Sequence, residues 1–294
     1  MLVATRTVPR AARFLLPIVL FLSILIVPQY ALLADKTLKL LLWQAPSTLN
    51  PHLAPGIKDQ TASRIVYEPL ASFDREGRFI SFLAAEIPAL ENGGVSADGR
   101  SVVWKLKHGV KWSDGQPYTA KDVLFTYNYI TNPDVGSASV GPYKTISKVA
   151  AVDDYTVQIT FKDVNPAWAL PFVGVQGMIL PEHVFAPYRD AATAPVNLAP
   201  VGTGPFRLKE FQTEDVLVIG NTVKVLFERN PYYRDAGKLS FDEVTLQGGG
   251  DASVAKPCSR KASLTMPGTF RSTTRCSKHS KQTVSESLSI AWEF

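Results

Sequence analysis

Glu91–Ile130 reads ENGGVSADGRSVVWKLKHGVKWSDGQPYTAKDVLFTYNYI, and it packs several local signals into one continuous block. Asp98-Gly99 is a tight-turn pair. Val102, Trp104 and Leu106 then alternate with Val103, Lys105 and Lys107, the period-two pattern of a half-buried strand. His108-Gly109 turns the chain, and Val110–Trp112 predicts a second short strand ending at Asp114-Gly115. Thr119 and Asp122 have the spacing of a capping box, in which each side chain satisfies an otherwise orphan backbone N–H. Ala120, Val123, Leu124, Tyr127 and Ile130 predict one apolar helix face, and Asn132-Pro133 stops the helix. No residue in the block has the surroundings of a catalyst.

Outward from this block the pattern stays that of a mixed α/β protein. Leu38–Trp43, LKLLLW, is an apolar run suited to a buried strand. Asn50-Pro51 starts a turn, and Asp59-Gln60-Thr61 leads into a helix with Ala62, Ile65, Val66 and Leu70 facing inward. Tyr155, Val157, Ile159 and Phe161 alternate with polar residues as a strand, after which Asn165-Pro166, Pro171 and Pro181 break up the pattern. Ala191–Pro200 is small, Pro-containing and weakly patterned, as at a lobe boundary. Gly202, Thr203 and Gly204 precede a strand over Phe206–Phe211 and read as a hinge-region or structural turn with backbone freedom. Val216–Phe227, with Gly220-Asn221 at its middle, reads as a hairpin.

The ends differ from the body. Residues 1–34 carry Arg6, Arg10 and Arg13 and no acid, followed by the apolar run Phe14–Val27. That run is short of the roughly 20 residues needed to span a bilayer, so a cleavable secretory signal and a periplasmic destination are expected. The formal net charge of +5 is concentrated at the ends. Residues 255–294 hold seven Lys/Arg against two Glu, whereas residues 35–254 hold 21 basic and 24 acidic residues. A mildly acidic body gives no footing for nucleic acid. Both cysteines, Cys258 and Cys276, lie in the tail, so the body has no disulfide framework and no thiol chemistry.

Enzyme readings fail on inventory. His52, His108, His183 and His279 are scattered, with no pair at metal-ligand spacing. No Gly-x-Ser-x-Gly precedes a helix, and Gly202-x-Gly204 lacks the third glycine of a dinucleotide loop. Asp114, Asp153 and Asp154 read as turn acids rather than an acid/base pair. Neither a catalyst, a metal nor a cofactor is expected. Trp104 reads as core because it alternates within a strand, while Trp168 lies in irregular sequence where it can pack inward or face a cleft.

Four segments in order carry a resemblance: Leu49–Asp74 (LNPHLAPGIKDQTASRIVYEPLASFD), Asp98–Tyr127, Pro200–Phe211 (PVGTGPFRLKEF) and Glu228–Leu246 (ERNPYYRDAGKLSFDEVTL). Together they resemble the extracytoplasmic solute-binding proteins of family 5, the oligopeptide, dipeptide and nickel receptors of ABC importers. The resemblance implies an α/β, large periplasmic-binding-protein (type II) fold with an inserted α+β domain. Residues 35–74 and 200–254 would form the first lobe and residues 75–199 the insertion, with the C-terminal lobe truncated. It also implies that the loop Gln44–Thr48, after the first strand, borders the ligand cleft. Ala45, Pro46, Ser47 and Trp168 are therefore the ligand-facing candidates, against the alternative of an ordinary solvated turn for the three loop residues. A charge anchor for the ligand would belong to the missing half.

Thirteen of the last forty residues are Ser or Thr, and no helical or strand period survives beyond Gly248. Read one base upstream, codons for Lys256–Gln282 can spell a family-like string containing GEFDYAW, so residues 255–294 are expected to be a non-native, frameshifted tail. The expected function is reversible binding of an oligopeptide or dipeptide for delivery to an inner-membrane ABC permease. The competing readings are a truncated member of the family without ligand activity, and a periplasmic chaperone or signalling module.

Overall fold

A leucine-rich strand near the start of the body finds its partner some two hundred residues later. In the computed structural model, which describes residues 36–42, 44–188, 190, 192–213 and 223–248, β1 (Thr37–Leu42) pairs in parallel with β9 (Glu243–Gly248). The pairing runs from Thr37 opposite Glu243 to Leu42 opposite Gly248. β9 pairs antiparallel with β8 (Val223–Arg229), and β8 with β7 (Phe206–Thr213), giving a sheet in the order β1-β9-β8-β7. Leu38, Leu40, Leu41 and Leu42 are buried and only Lys39 faces solvent, as the apolar run predicts. The leader over residues 1–34, Trp43, the Gly220-Asn221 turn, Cys258, Cys276, His279 and the 255–294 tail lie outside the described residues.

Between β1 and β7 the chain builds a second assembly. β4 (Ser101–Lys105), β6 (Thr156–Phe161) and β5 (Ile146–Asp153) form an antiparallel sheet in the order β4-β6-β5, with Trp104 opposite Val157 and Val102 opposite Ile159. These four side chains are almost completely buried, so alternation in β4 and β6 sorts residues by face as the period requires. α2 (Ala120–Thr131) packs on β5 and β6. A two-stranded hairpin pairs β2 (Ala71–Phe73) with β3 (Phe79–Ser81). Its turn is held by Asp74, whose carboxylate accepts the N–H groups of Glu76 and Arg78. Buried side chains from Leu38 to Leu246 form one continuous cluster, so the four-stranded sheet and the intervening assembly share a core.

Three local expectations shift. Val110–Trp112 is not a strand: a single bridge joins Lys111 to Pro117, flanked by hydrogen bonds from Tyr118 N–H to Val110 O and from Trp112 N–H to Gln116 O. Gly109 and Gly115, both at positive φ, close the segment at its two ends, and Pro117 has no N–H with which to extend a ladder. The first helix, α1 (Ile57–Arg64), starts two residues before Asp59 and ends before Ile65, Val66 and Leu70. Those three are still buried, on the turn and irregular chain that follow. On α2, Ala120, Val123 and Ile130 are buried as expected, but Thr126 and Tyr129 are buried too, whereas Leu124 and Tyr127 are only half-buried. Thr126 tolerates burial because its hydroxyl donates to Asp122 O at 2.7 Å and accepts Leu180 N–H at 2.9 Å.

Asp122 does more than cap α2. It accepts Thr119 N–H at 2.9 Å in the capping box. It also accepts Glu182 N–H at 2.9 Å, at the start of α4 (Glu182–Phe185), which follows α3 (Val140–Tyr143) in the chain. Trp112 Nε1 donates to it at 3.4 Å. Burial pushes this carboxyl up from its ordinary range, against the three hydrogen bonds that favour the charged form.

Candidate functional site

In open α/β sheets the loops that leave the carboxyl ends of parallel strands border the crevice where ligands bind. β1 and β9 are the parallel pair in the four-stranded sheet, and both end at the same place. The loop Gln44–Thr48 leaves β1 there, and Gly248 closes β9 against it. A Cβ on Gly248 would lie 2.2 Å from Ala45 Cα and 2.5 Å from Ala45 N, so only glycine lets the two backbones approach so closely. Within the loop Pro46 is buried, Ala45 half-buried and Ser47 exposed.

Asp59, in the first turn of α1, anchors the loop from its other side. This buried carboxylate accepts Ser47 N–H at 2.6 Å, Ser47 Oγ–H at 2.9 Å and Thr48 N–H at 3.3 Å. Lys58 Nζ lies 3.1 Å from Asp59 Oδ2 and donates to Ser47 Oγ at 3.1 Å. Downstream, Leu49 N–H and Thr48 Oγ1 both donate to Asn197 O. Asn50 then uses both amide hydrogens, one on Tyr129 Oη at 3.0 Å and one on Asn197 Oδ1 at 2.8 Å.

The next turn is fixed by a buried histidine. His52 has Nε2 2.8 Å from Met178 O, which can only accept, so Nε2 carries the proton and Nδ1, 3.0 Å from Ser139 Oγ, accepts the hydroxyl. Burial pulls the imidazole down to about 4, outweighing the bond to Met178. His52 is thus neutral and structural. His108 is exposed and stacks on the Tyr155 ring. His183 sits within α4 and pairs with Asp114 at 2.8 Å. Among the described residues no three His, Cys, Asp or Glu are gathered as a metal ion would require.

The other sequence candidates occupy separate neighbourhoods. Trp168 is half-buried, with its ring 5.9 Å from Phe79 and 5.9 Å from Trp104. Gly202, Thr203 and Gly204 are buried against the chain that follows α1. Gly204 N–H donates to Val66 O at 2.8 Å, and Ser113 N–H donates to Gly202 O at 2.9 Å. Neither glycine has positive φ; what each supplies is space, because a Cβ would lie 2.0 Å (Gly202) or 2.6 Å (Gly204) from Val66 O.

A buried ion pair elsewhere in the body has no signal in the sequence. Arg234 and Glu68 meet in a bidentate arrangement at 2.7 and 2.8 Å, with Glu68 buried and the guanidinium over the Tyr233 ring. Burial alone would lower the Arg234 pKa, but the Glu68 carboxylate raises it instead. Asn197 and Asp59 were likewise invisible as partners, for neither lies in a motif that announces one.

Residues 83–257 match the family described as bacterial extracellular solute-binding proteins, family 5 Middle. The chain belongs to that family. It is 29% identical over 199 residues to the glutathione-binding protein GsiB of Pectobacterium atrosepticum, covering 68% of this chain and 35% of the relative. It is 27% identical over 237 residues to the periplasmic oligopeptide-binding protein OppA of Salmonella typhimurium, covering 74% and 40%. Among solved structures, the ABC transporter substrate-binding protein CtaP of Listeria monocytogenes superposes with a TM-score of 0.65 at 25% identity, covering 86% of this chain and 47% of that one. The Haemophilus influenzae OppA complex with RPPGFSPFR gives 0.64 at 22% identity, over 77% and 44%. The fold is therefore that of the family 5 binding proteins, and the chain spans less than half the length of these relatives.

Proposed function

We propose that this family 5 chain is the first-lobe and insertion portion of a periplasmic receptor that binds a peptide, or a solute of similar size, reversibly and delivers it to an ABC permease. The observation that carries this reading is the Gln44–Thr48 loop, ordered by Asp59 at the shared carboxyl ends of β1 and β9. Ala45 and Ser47 are the ligand-facing candidates of that loop that solvent reaches, whereas Pro46 is buried. Trp168 is the fourth candidate, and its partly exposed ring is what supports it. Extended peptides are recognised chiefly through main-chain hydrogen bonds, which suits a loop presented backbone-first. The named activities of the relatives are binding activities, in keeping with a protein that binds and catalyses nothing. An N-terminal leader over residues 1–34 would direct it to the periplasm.

The test is calorimetric titration of the purified chain with RPPGFSPFR, glutathione and the nickel–histidine complex. Saturable binding of any one supports a receptor, and no heat from any of the three opposes it. The second reading, a truncated member without ligand activity, is favoured by two observations: the coverage of 35–40% of the curated relatives, and a family match that ends at residue 257, beside the proposed frameshift near Ala255. The gene's nucleotide sequence decides the frameshift: an alternative frame that stays open past codon 255 supports it, and stop codons in that frame exclude it.

A further inference from the structure

The Gln44–Thr48 loop has few contacts of its own to set its shape. It is exposed at Gln44 and Ser47 and lacks a repeating hydrogen-bond ladder; beside the side-chain bonds of Thr48 Oγ1 to Asn197 O and of Lys58 to Ser47 Oγ, two features hold its backbone. On one side is the Gly248 backbone, in direct van der Waals contact with Ala45. On the other is the single carboxylate of Asp59, whose Oδ1 takes two successive amides and one hydroxyl. Room for that carboxylate comes from Gly56, the residue before α1, where a Cβ would lie 2.8 Å from Asp59 Oδ2. Two amides converging on one anionic oxygen make charge-assisted bonds, about twice as strong as neutral ones. They fix the direction of the Ser47 and Thr48 peptide planes, and therefore which way the preceding carbonyls and amides of the loop point.

We infer that Asp59 is a positioning residue: it holds the Gln44–Thr48 backbone in the one conformation offered to ligand, without touching the ligand itself. The inference rests on the receptor reading above and deepens it. Pre-ordering removes a cost that binding would otherwise carry, since each loop residue ordered on association subtracts from affinity. Asp59→Ala removes the acceptor and frees the loop. Asp59→Asn keeps an oxygen at Oδ1 for Ser47 and Thr48 while losing the charge and the Lys58 pair. The two variants therefore separate loop holding from electrostatics.

The experiment combines titration of the full chain with RPPGFSPFR, glutathione and the nickel–histidine complex with amide hydrogen exchange at Ser47 and Thr48, and thermal unfolding confirms each variant is folded. For any probe the parent binds, Asp59→Ala is expected to weaken affinity by roughly tenfold or more, the equivalent of losing one charged hydrogen bond, and to speed exchange at both amides. Asp59→Asn is expected to restore part of both, because its amide oxygen still accepts the two N–H groups through weaker, neutral bonds. Should Asp59→Ala fail to fold, Asp59→Glu takes its place with the same expectation, because it keeps the charge but moves the oxygen by one methylene. A variant that only lowers Tm, leaving dissociation constants and exchange at parental values, overturns the proposal. So does Asp59→Asn behaving like Asp59→Ala. If the parent binds none of the three probes, the receptor reading falls by itself, and exchange alone decides: parental protection of Ser47 and Thr48 in Asp59→Ala overturns the positioning role, and faster exchange upholds the loop-holding part of it.

Discussion

Gly202 and Gly237 are chemically identical, and the fold asks opposite things of them. A methyl at Gly202 would collide with the Val66 carbonyl, whereas a methyl at Gly237 meets nothing within 4 Å. Gly202→Ala is expected to destabilise by about 1–3 kcal/mol through forced backbone shifts, and Gly237→Ala to be neutral or slightly stabilising, both read from urea denaturation. The Glu68–Arg234 pair makes a second residue-scale test. Arg234→Ala leaves a buried carboxylate without its partner and is expected to cost about 3 kcal/mol or more. Replacing both together, as Glu68→Gln with Arg234→Met, is expected to cost less than Arg234→Ala alone, because no charge is then stranded; a double variant as unstable as Arg234→Ala refutes that account. Composition and spacing reveal Gly202 as a glycine in a turn-rich segment. They do not reveal that Val66 O is what makes the glycine necessary.

At the scale of elements, the elements legible beforehand are those whose signal is local. The Asp98-Gly99 turn, the alternation in β4 and β6, the Thr119–Asp122 box and the Asn132-Pro133 stop all act within a few residues, and all are present. The β2–β3 hairpin with its Asp74–Arg78 turn carries no such signal because its strands are three residues long, and β5 carries none because its buried positions do not alternate. The helix face of α2 was misjudged at Thr126 and Tyr129, whose hydroxyls are satisfied by residues distant in sequence, Leu180 and Asn50. Asp122 joins two helices: Asp122→Ala is expected to cost about 2 kcal/mol by removing the caps of both α2 and α4, and Thr119→Ala about half that. Equal losses from the two substitutions, measured by chemical denaturation, contradict the double-cap role.

Over the whole molecule, His52 adds to the loss of stability in acid. The unfolded chain takes up its proton near 6.5 and the folded protein only near 4, so between those values the unfolded state binds more protons. Stability from this group is complete above pH 6.5 and falls as the pH drops toward 4, by at most roughly 3 kcal/mol. Denaturation midpoints from pH 7 to pH 4 should fall more steeply for the parent than for His52→Asn, and identical slopes reject the assignment. The same residue marks the limit of local sequence signals. Amino-acid order alone determined β1, the alternating strands β4 and β6, the tight turns and the α2 cap, the absence of an enzyme's motifs in the body, and through four ordered segments the family. It did so because turn chemistry, side-chain period and capping are satisfied within a few residues. Only tertiary structure paired β1 with β9, buried His52 between Ser139 and Met178, joined Glu68 to Arg234 and set Asp59 under Ser47 and Thr48. Buried charges and amides must find partners wherever the folded chain brings them, and those partners can lie anywhere along it.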